Sequence, residues 1–197
     1  MTGFSHGAAG IAYALLRLSR AAGEPAFRAA ALEGIGYERS HFDPAAGNWP
    51  DVREPAGGDG QGAYRTAWCH GAPGIAIARL GGLGLADTPE VRADAEAGLE
   101  TTRRFGAGAL DDLCCGGAGR IEALIEGARR LRRPELLAAA HRQAGRMVRR
   151  SLRLGGYQTQ GTTGSVAPGL FQGIAGVGYT LLRLYDPDQL PCVLLWE

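Results

Sequence analysis

Trp68-Cys69-His70-Gly71-Ala72-Pro73-Gly74-Ile75-Ala76-Ile77-Ala78 sets the pattern for the whole chain. A cysteine and a histidine precede Gly-x-x-Gly, and an apolar run follows with proline near its start, where a helix loses nothing by lacking an N–H. Three other stretches align with it: Phe4-Ser5-His6-Gly7-Ala8-Ala9-Gly10-Ile11, Leu113-Cys114-Cys115-Gly116-Gly117-Ala118-Gly119-Arg120 and Leu170-Phe171-Gln172-Gly173-Ile174-Ala175-Gly176-Val177. Their first glycines, Gly7, Gly71, Gly116 and Gly173, are separated by 64, 45 and 57 residues. So irregular a period fits helical hairpins joined by loops of variable length.

The segment after each Gly-x-x-Gly reads as a helix. Ile121, Leu124, Ile125 and Ala128 form one apolar stripe, and Ile174, Val177, Leu181 and Leu182 another. Second helices are expected from Pro25 to about Arg39, from Pro89 to about Arg104 and from Pro134 to about Leu152. No stretch alternates with the period of a strand. Segments 42–64, with Asn48-Trp49-Pro50-Asp51 and Gly57-Gly58-Asp59-Gly60, and 155–167 are rich in turn residues and read as loops. The expected fold is all-α, an α/α toroid built from alternating helices. Glycine at the helix starts would let backbones approach closely and present N–H groups toward a shared centre.

Composition narrows the function classes. The 197 residues are 45% apolar and 21% charged, which suits a packed globular chain rather than a disordered one. Net charge is +1, so there is no general electrostatic case for nucleic acid or an anionic membrane as partner. No apolar run reaches the ~20 residues of a spanning helix. The 32 glycines follow neither a collagen period nor a linker cluster. Four cysteines are too few for a disulfide scaffold of this size, which favours a reduced, cytoplasmic setting or metal ligation.

His6, Cys69 with His70, and the pair Cys114 and Cys115 all sit just before a Gly-x-x-Gly turn. If equivalent positions share one rim, their side chains converge despite the sequence between them. Thiols and imidazoles suit Zn²⁺, and three protein ligands leave a fourth position for a reactant. Cys192 breaks the pattern and reads as core, while His41 and His141 read as surface or packing histidines. The basic run 129–133 closes a helix, where cations oppose the negative end of the dipole on a solvated face.

Phe4-Ser5-His6-Gly7, Trp68-Cys69-His70-Gly71, Leu113-Cys114-Cys115-Gly116 and the closing Leu190-Pro191-Cys192-Val193 resemble the lanthionine synthetase C-like (LanC) family. They are similar above all to the C-terminal cyclase domain of class II lanthipeptide synthetases, as is Phe42-Asp43-Pro44 through Asn48-Trp49-Pro50-Asp51. The resemblance spans essentially the whole chain. It implies that residues 1–197 are a partial cyclase domain, the C-terminal half of an α/α toroid with about four helical-hairpin repeats. It further implies Zn²⁺ on Cys69, Cys114 and Cys115, the last in place of the family's commoner histidine.

The implied reaction adds peptide cysteine thiols to dehydroalanine or dehydrobutyrine, with His6 for acid–base work and Arg65 to stabilise enolate charge. The partner would be a dehydrated precursor peptide. A toroid half carrying the family's active-site Asp, and a dehydratase domain, would belong to a longer protein. Two other readings stay open: an enzyme adding glutathione to dehydroamino acids, and a non-catalytic helical-repeat peptide-binding module with a structural zinc.

Overall fold

The computed structural model describes residues 1–53, 64–106, 108–160 and 167–197. Its helices are α1 (Ala8–Ala22), α2 (Pro25–Ser40), α3 (Ala72–Gly82), α4 (Pro89–Phe105), α5 (Gly117–Leu131), α6 (Pro134–Leu154) and α7 (Ile174–Tyr185), with a 3-10 turn at Val193–Leu195. Among the described residues there is no strand, only isolated bridges, and the fold is all-α. Helices α2, α4 and α6 each begin at the proline that marks them in the sequence. The Gly57-Gly58-Asp59-Gly60 cluster lies outside the described residues, as do 161–166 of the second loop. No described helix is long and apolar enough to cross a membrane.

The chain forms two compact units, Met1–Thr101 and Thr102–Glu197. In the first, α1 packs against α2 and α3. Ala12 and Leu16 of α1 share a buried cluster with Ala31 and Ile35 of α2, Ala86 of the loop after α3 and Val91 of α4. In the second, α5 packs against α6 and α7. Helix α6 buries a single stripe running from Leu136 through Ala140, Ala144 and Met147 to Ser151, at helical spacing.

Each of α1, α3, α5 and α7 follows a turn that doubles back over its first residues. The first amide of α1, α5 and α7 donates to a carbonyl seven residues earlier: Ala8 N to Met1 O (2.9 Å), Gly117 N to Leu110 O (2.8 Å) and Ile174 N to Ala167 O (2.8 Å). In α3 a side chain is inserted into the same link. Asn48 Nδ2 donates to Arg65 O (3.2 Å), and Asn48 Oδ1 accepts from Ala72 N (2.9 Å). The helix-start amides, expected to point outward to a shared centre, are therefore used inside the turn, as buried donors require.

So tight a return leaves no room for a side chain at the glycines. A Cβ on Gly116 would lie 2.6 Å from Asp112 O, and one on Gly173 would lie 2.6 Å from Gly169 N. At the second glycine the obstacle is the carbonyl six residues back: Phe4 O for Gly10, Trp68 O for Gly74, Leu170 O for Gly176. Among the four first glycines only Gly71 also adopts a left-handed backbone, at φ +88°.

Apolar periodicity misplaces the buried face of α7. Leu182, expected on the buried stripe, is 62% exposed, and the face turned inward carries Gly176, Val177, Thr180, Arg183 and Leu184. Arg183 belongs there because α5 buries two carboxylates. Its guanidinium bonds Glu122, and Nη2 donates to Glu126 at 2.6 Å. Arg130 holds Glu126 from the other side (2.6 Å) and reaches Glu197 (2.8 Å), so the basic run 129–133 is anchored in part rather than freely solvated. Burial pushes the Glu122 carboxyl up to about 7. Glu126 is buried too, but hydrogen bonds from Arg130 and Arg183 outweigh that and hold it below its ordinary value.

The first unit is braced in a similar way. Arg79 of α3 is buried and donates to Glu38 of α2 (2.9 Å) and to Asp94 of α4 (3.2 Å). The other Glu38 oxygen accepts from Gly3 N (3.0 Å) and Ala9 N (2.9 Å), tying α2 to the turn before α1.

Two outcomes follow for stability. Gly74→Ala should destabilise the protein by about 1–3 kcal/mol, because the methyl meets the Trp68 carbonyl. Gly36→Ala, in an exposed stretch of α2 with nothing near the added carbon, should stabilise it by about 0.5–1 kcal/mol. Urea denaturation measures both. Glu122 has its carboxyl raised on folding, so its contribution is complete below about 4.5 and lost as pH rises through about 7. Stability should therefore fall between pH 5 and pH 8, and fall less in Glu122→Gln. Equal losses in the two proteins would refute that assignment.

Candidate functional site

The first unit carries His6, Arg65 and Cys69. The turns before α1 and α3 interlock: Phe4 N donates to Trp68 O (3.2 Å), and the two rings stack at 5.2 Å. A Cβ on Gly3 would lie 2.6 Å from the His70 Cα, so the two backbones are in direct contact. This contact lays the His6 ring on His70, with centroids 5.0 Å apart and planes 12° from parallel. His6 is exposed, whereas Cys69 and His70 are buried. Burial pushes the His70 imidazole below its ordinary value, against the pull of the Asp51 carboxylate.

Arg65 is held by the loop that contains Asn48 and Asp51. Trp49 is fully buried with its ring against Phe42 (4.7 Å), and it draws both polar neighbours inward. Asn48 makes the backbone link described above and also accepts from Trp49 N (2.8 Å). The Asp51 carboxylate is buried. One oxygen accepts from Arg53 Nε (2.9 Å); the other accepts from Arg53 Nη2 (2.7 Å) and forms an ion pair with Arg65 Nε (3.2 Å). The Arg53 fork holds the Asp51 carboxyl far below the usual carboxylate range. Sequence reasoning left Asn48 and Asp51 as turn residues. The available signal was a Trp-Pro pair between them: an aromatic that buries carries adjacent polar groups into places where they need partners.

The second unit carries Cys114 and Cys115. Cys114 N donates to Phe171 O (2.8 Å), and Cys115 N donates to Asp112 Oδ1 (2.8 Å). The two sulfurs approach to 3.6 Å, and neither is in a disulfide. Two thiolates on a tetrahedral zinc, each at about 2.3 Å, stand roughly 3.8 Å apart. The pair is thus spaced like one edge of such a site. Arg120 places Nη1 3.5 Å from Cys115 O, and its guanidinium lies 4.9 Å from the centroid of the Phe105 ring. Burial, with Arg150 adding, lowers Arg120 to about 10. It remains cationic at neutral pH and favours a neighbouring thiolate. Burial also pushes the Asp112 carboxyl upward.

Cys192, His41 and His141 lie in the core and at the surface, as the sequence pattern predicts. Cys192 is buried, and that burial, reinforced by Glu126 and Glu122, pushes its thiol far above the ordinary range, so it stays protonated. His41 is satisfied by Tyr37 O (2.9 Å) and lies against the Tyr37 ring, while His141 is exposed.

The chain matches the family model for the lanthionine synthetase C-like protein over residues 1–195, and it belongs to that family.

Asn48 is open to a direct test. Asn48→Ala leaves the amides of Trp49 and Ala72 without their acceptor and should cost about 1–3 kcal/mol in chemical denaturation. Asn48→Asp keeps that acceptor but turns a buried carboxylate oxygen on the Arg65 carbonyl, so it should not restore the lost stability.

Proposed function

We infer that this LanC-like chain carries a zinc-dependent cyclase site for dehydrated precursor peptides. Cys69, Cys114 and Cys115 are side chains that could hold a metal ion, and in this reading each gives it one sulfur. The observation that supports it most is the 3.6 Å approach of the Cys114 and Cys115 sulfurs, neither of them in a disulfide. Three thiols suit a borderline-soft cation, and three protein ligands leave one position for a reactant. Bound there, zinc would keep a peptide cysteine ionised at neutral pH.

In the addition, the peptide sulfur forms a C–S bond to the β-carbon of dehydroalanine or dehydrobutyrine. The displaced π electrons pass to the carbonyl oxygen as an enolate, and the α-carbon then takes up a proton, closing a (methyl)lanthionine ring. Arg65 supplies a permanent positive charge for the enolate oxygen. His6, an exposed imidazole stacked on His70, returns the proton to the α-carbon. A reducing cytoplasm would keep the ligand thiols free.

Elemental analysis should find about one zinc per chain, retained in Cys115→His and lost in Cys114→Ala. A metal-free wild type would refute the reading. With dehydrated peptide, ring formation leaves the mass unchanged and blocks thiol alkylation, whereas addition of supplied glutathione raises the mass. His6→Ala should slow ring formation by about 10²–10⁴-fold.

A further inference from the structure

We propose that Asp51 is a positioning residue for Arg65, a role that rests on reading Arg65 as the cation facing the enolate. Arginine carries a long, flexible stem, and this one has a side chain 46% exposed, so its direction in space needs an external reference. Asp51 is suited to provide it. Its carboxylate is 1% exposed and both its oxygens are held by the Arg53 fork, with Arg53 N adding a contact to one of them (3.3 Å), so its place does not rest on Arg65 alone.

The contact to Arg65 is made at Nε, the nitrogen nearest the stem, so it sets the plane of the guanidinium. Asn48 holds the same residue at its other end, through the Arg65 carbonyl. Asn48 also binds the first amide of α3, which follows the Cys69 turn. One loop thus registers the Arg65 backbone, the Arg65 side chain and the start of α3 together. A guanidinium displaced by about an ångström would meet the developing enolate poorly.

Asp51→Asn keeps the size and removes the charge. With dehydrated peptide, kcat for ring formation should fall about 100-fold while KM changes little. In an Arg65→Ala background the same substitution should add no further loss, because Asp51 acts through Arg65. A second loss as large as the first would overturn the proposal, as would an unchanged kcat in the single variant.

A readout independent of activity is the Arg65 Nε–H resonance, identified as the signal that disappears in Arg65→Lys. In the wild type it should exchange with water more slowly than that of exposed Arg20, and Asp51→Asn should remove the difference. An Arg65 signal exchanging as fast as that of Arg20 in the wild type overturns the proposal, even if the variant does not fold. A zinc-loaded wild type that forms no thioether ring refutes the cyclase reading instead, and the exchange measurement then decides whether Asp51 orients Arg65.

Discussion

A backbone carbonyl packed against the α-carbon of a glycine six residues later is the contact on which both units depend. At Phe4 and Gly10, at Trp68 and Gly74, and at Leu170 and Gly176 the chain returns so closely that no side chain fits between. Hydrogen atoms on both glycines are what permit the return, and the helix-start amides then find their acceptors within the turn. The residues immediately before the first glycine sit at the apex of that return. They are His6, Cys69 with His70, Cys114 with Cys115, and Phe171 with Gln172. One backbone device therefore supplies several equivalent mounting points, and what varies among them is the chemistry mounted there.

The turns are braced by buried charge rather than by apolar contact alone. Glu38 accepts two amides around the first turn and an arginine from α3, so it links α1, α2 and α3 at one carboxylate. Arg183 does comparable work between α7 and α5. Such clusters are weak sources of net stability, because desolvation offsets much of the attraction, but an arrangement that broke one would leave an uncompensated buried ion at a cost of about 3–5 kcal/mol. They select one helix register over its neighbours. The rotated face of α7 is the visible result: burying Arg183 against Glu122 and Glu126 outweighs burying Leu182.

Much of this was legible in the residues. The recurrence of Gly-x-x-Gly, with proline at the start of α2, α4 and α6, identified the helices and their order. Each helix start has a local signature, and the signature was repeated. The positions of His6, Cys69, Cys114 and Cys115 before the turns were equally plain, as was the isolation of Cys192. Less visible were Asn48, Asp51, Asp112 and Arg120, which take their meaning from partners elsewhere in the chain. Asn48 bonds Arg65 O and Ala72 N, and neither pairing leaves a mark at fixed spacing.

By itself, then, the sequence determined the element types, the turn sites and the candidate ligands, because these depend on local sterics and on the donor chemistry of single residues. Tertiary structure alone decided how the turns are closed, which face of α7 is buried and what holds Arg65. Those outcomes depend on which polar groups are forced together away from water, and a buried donor must take whatever acceptor the packed chain brings to it.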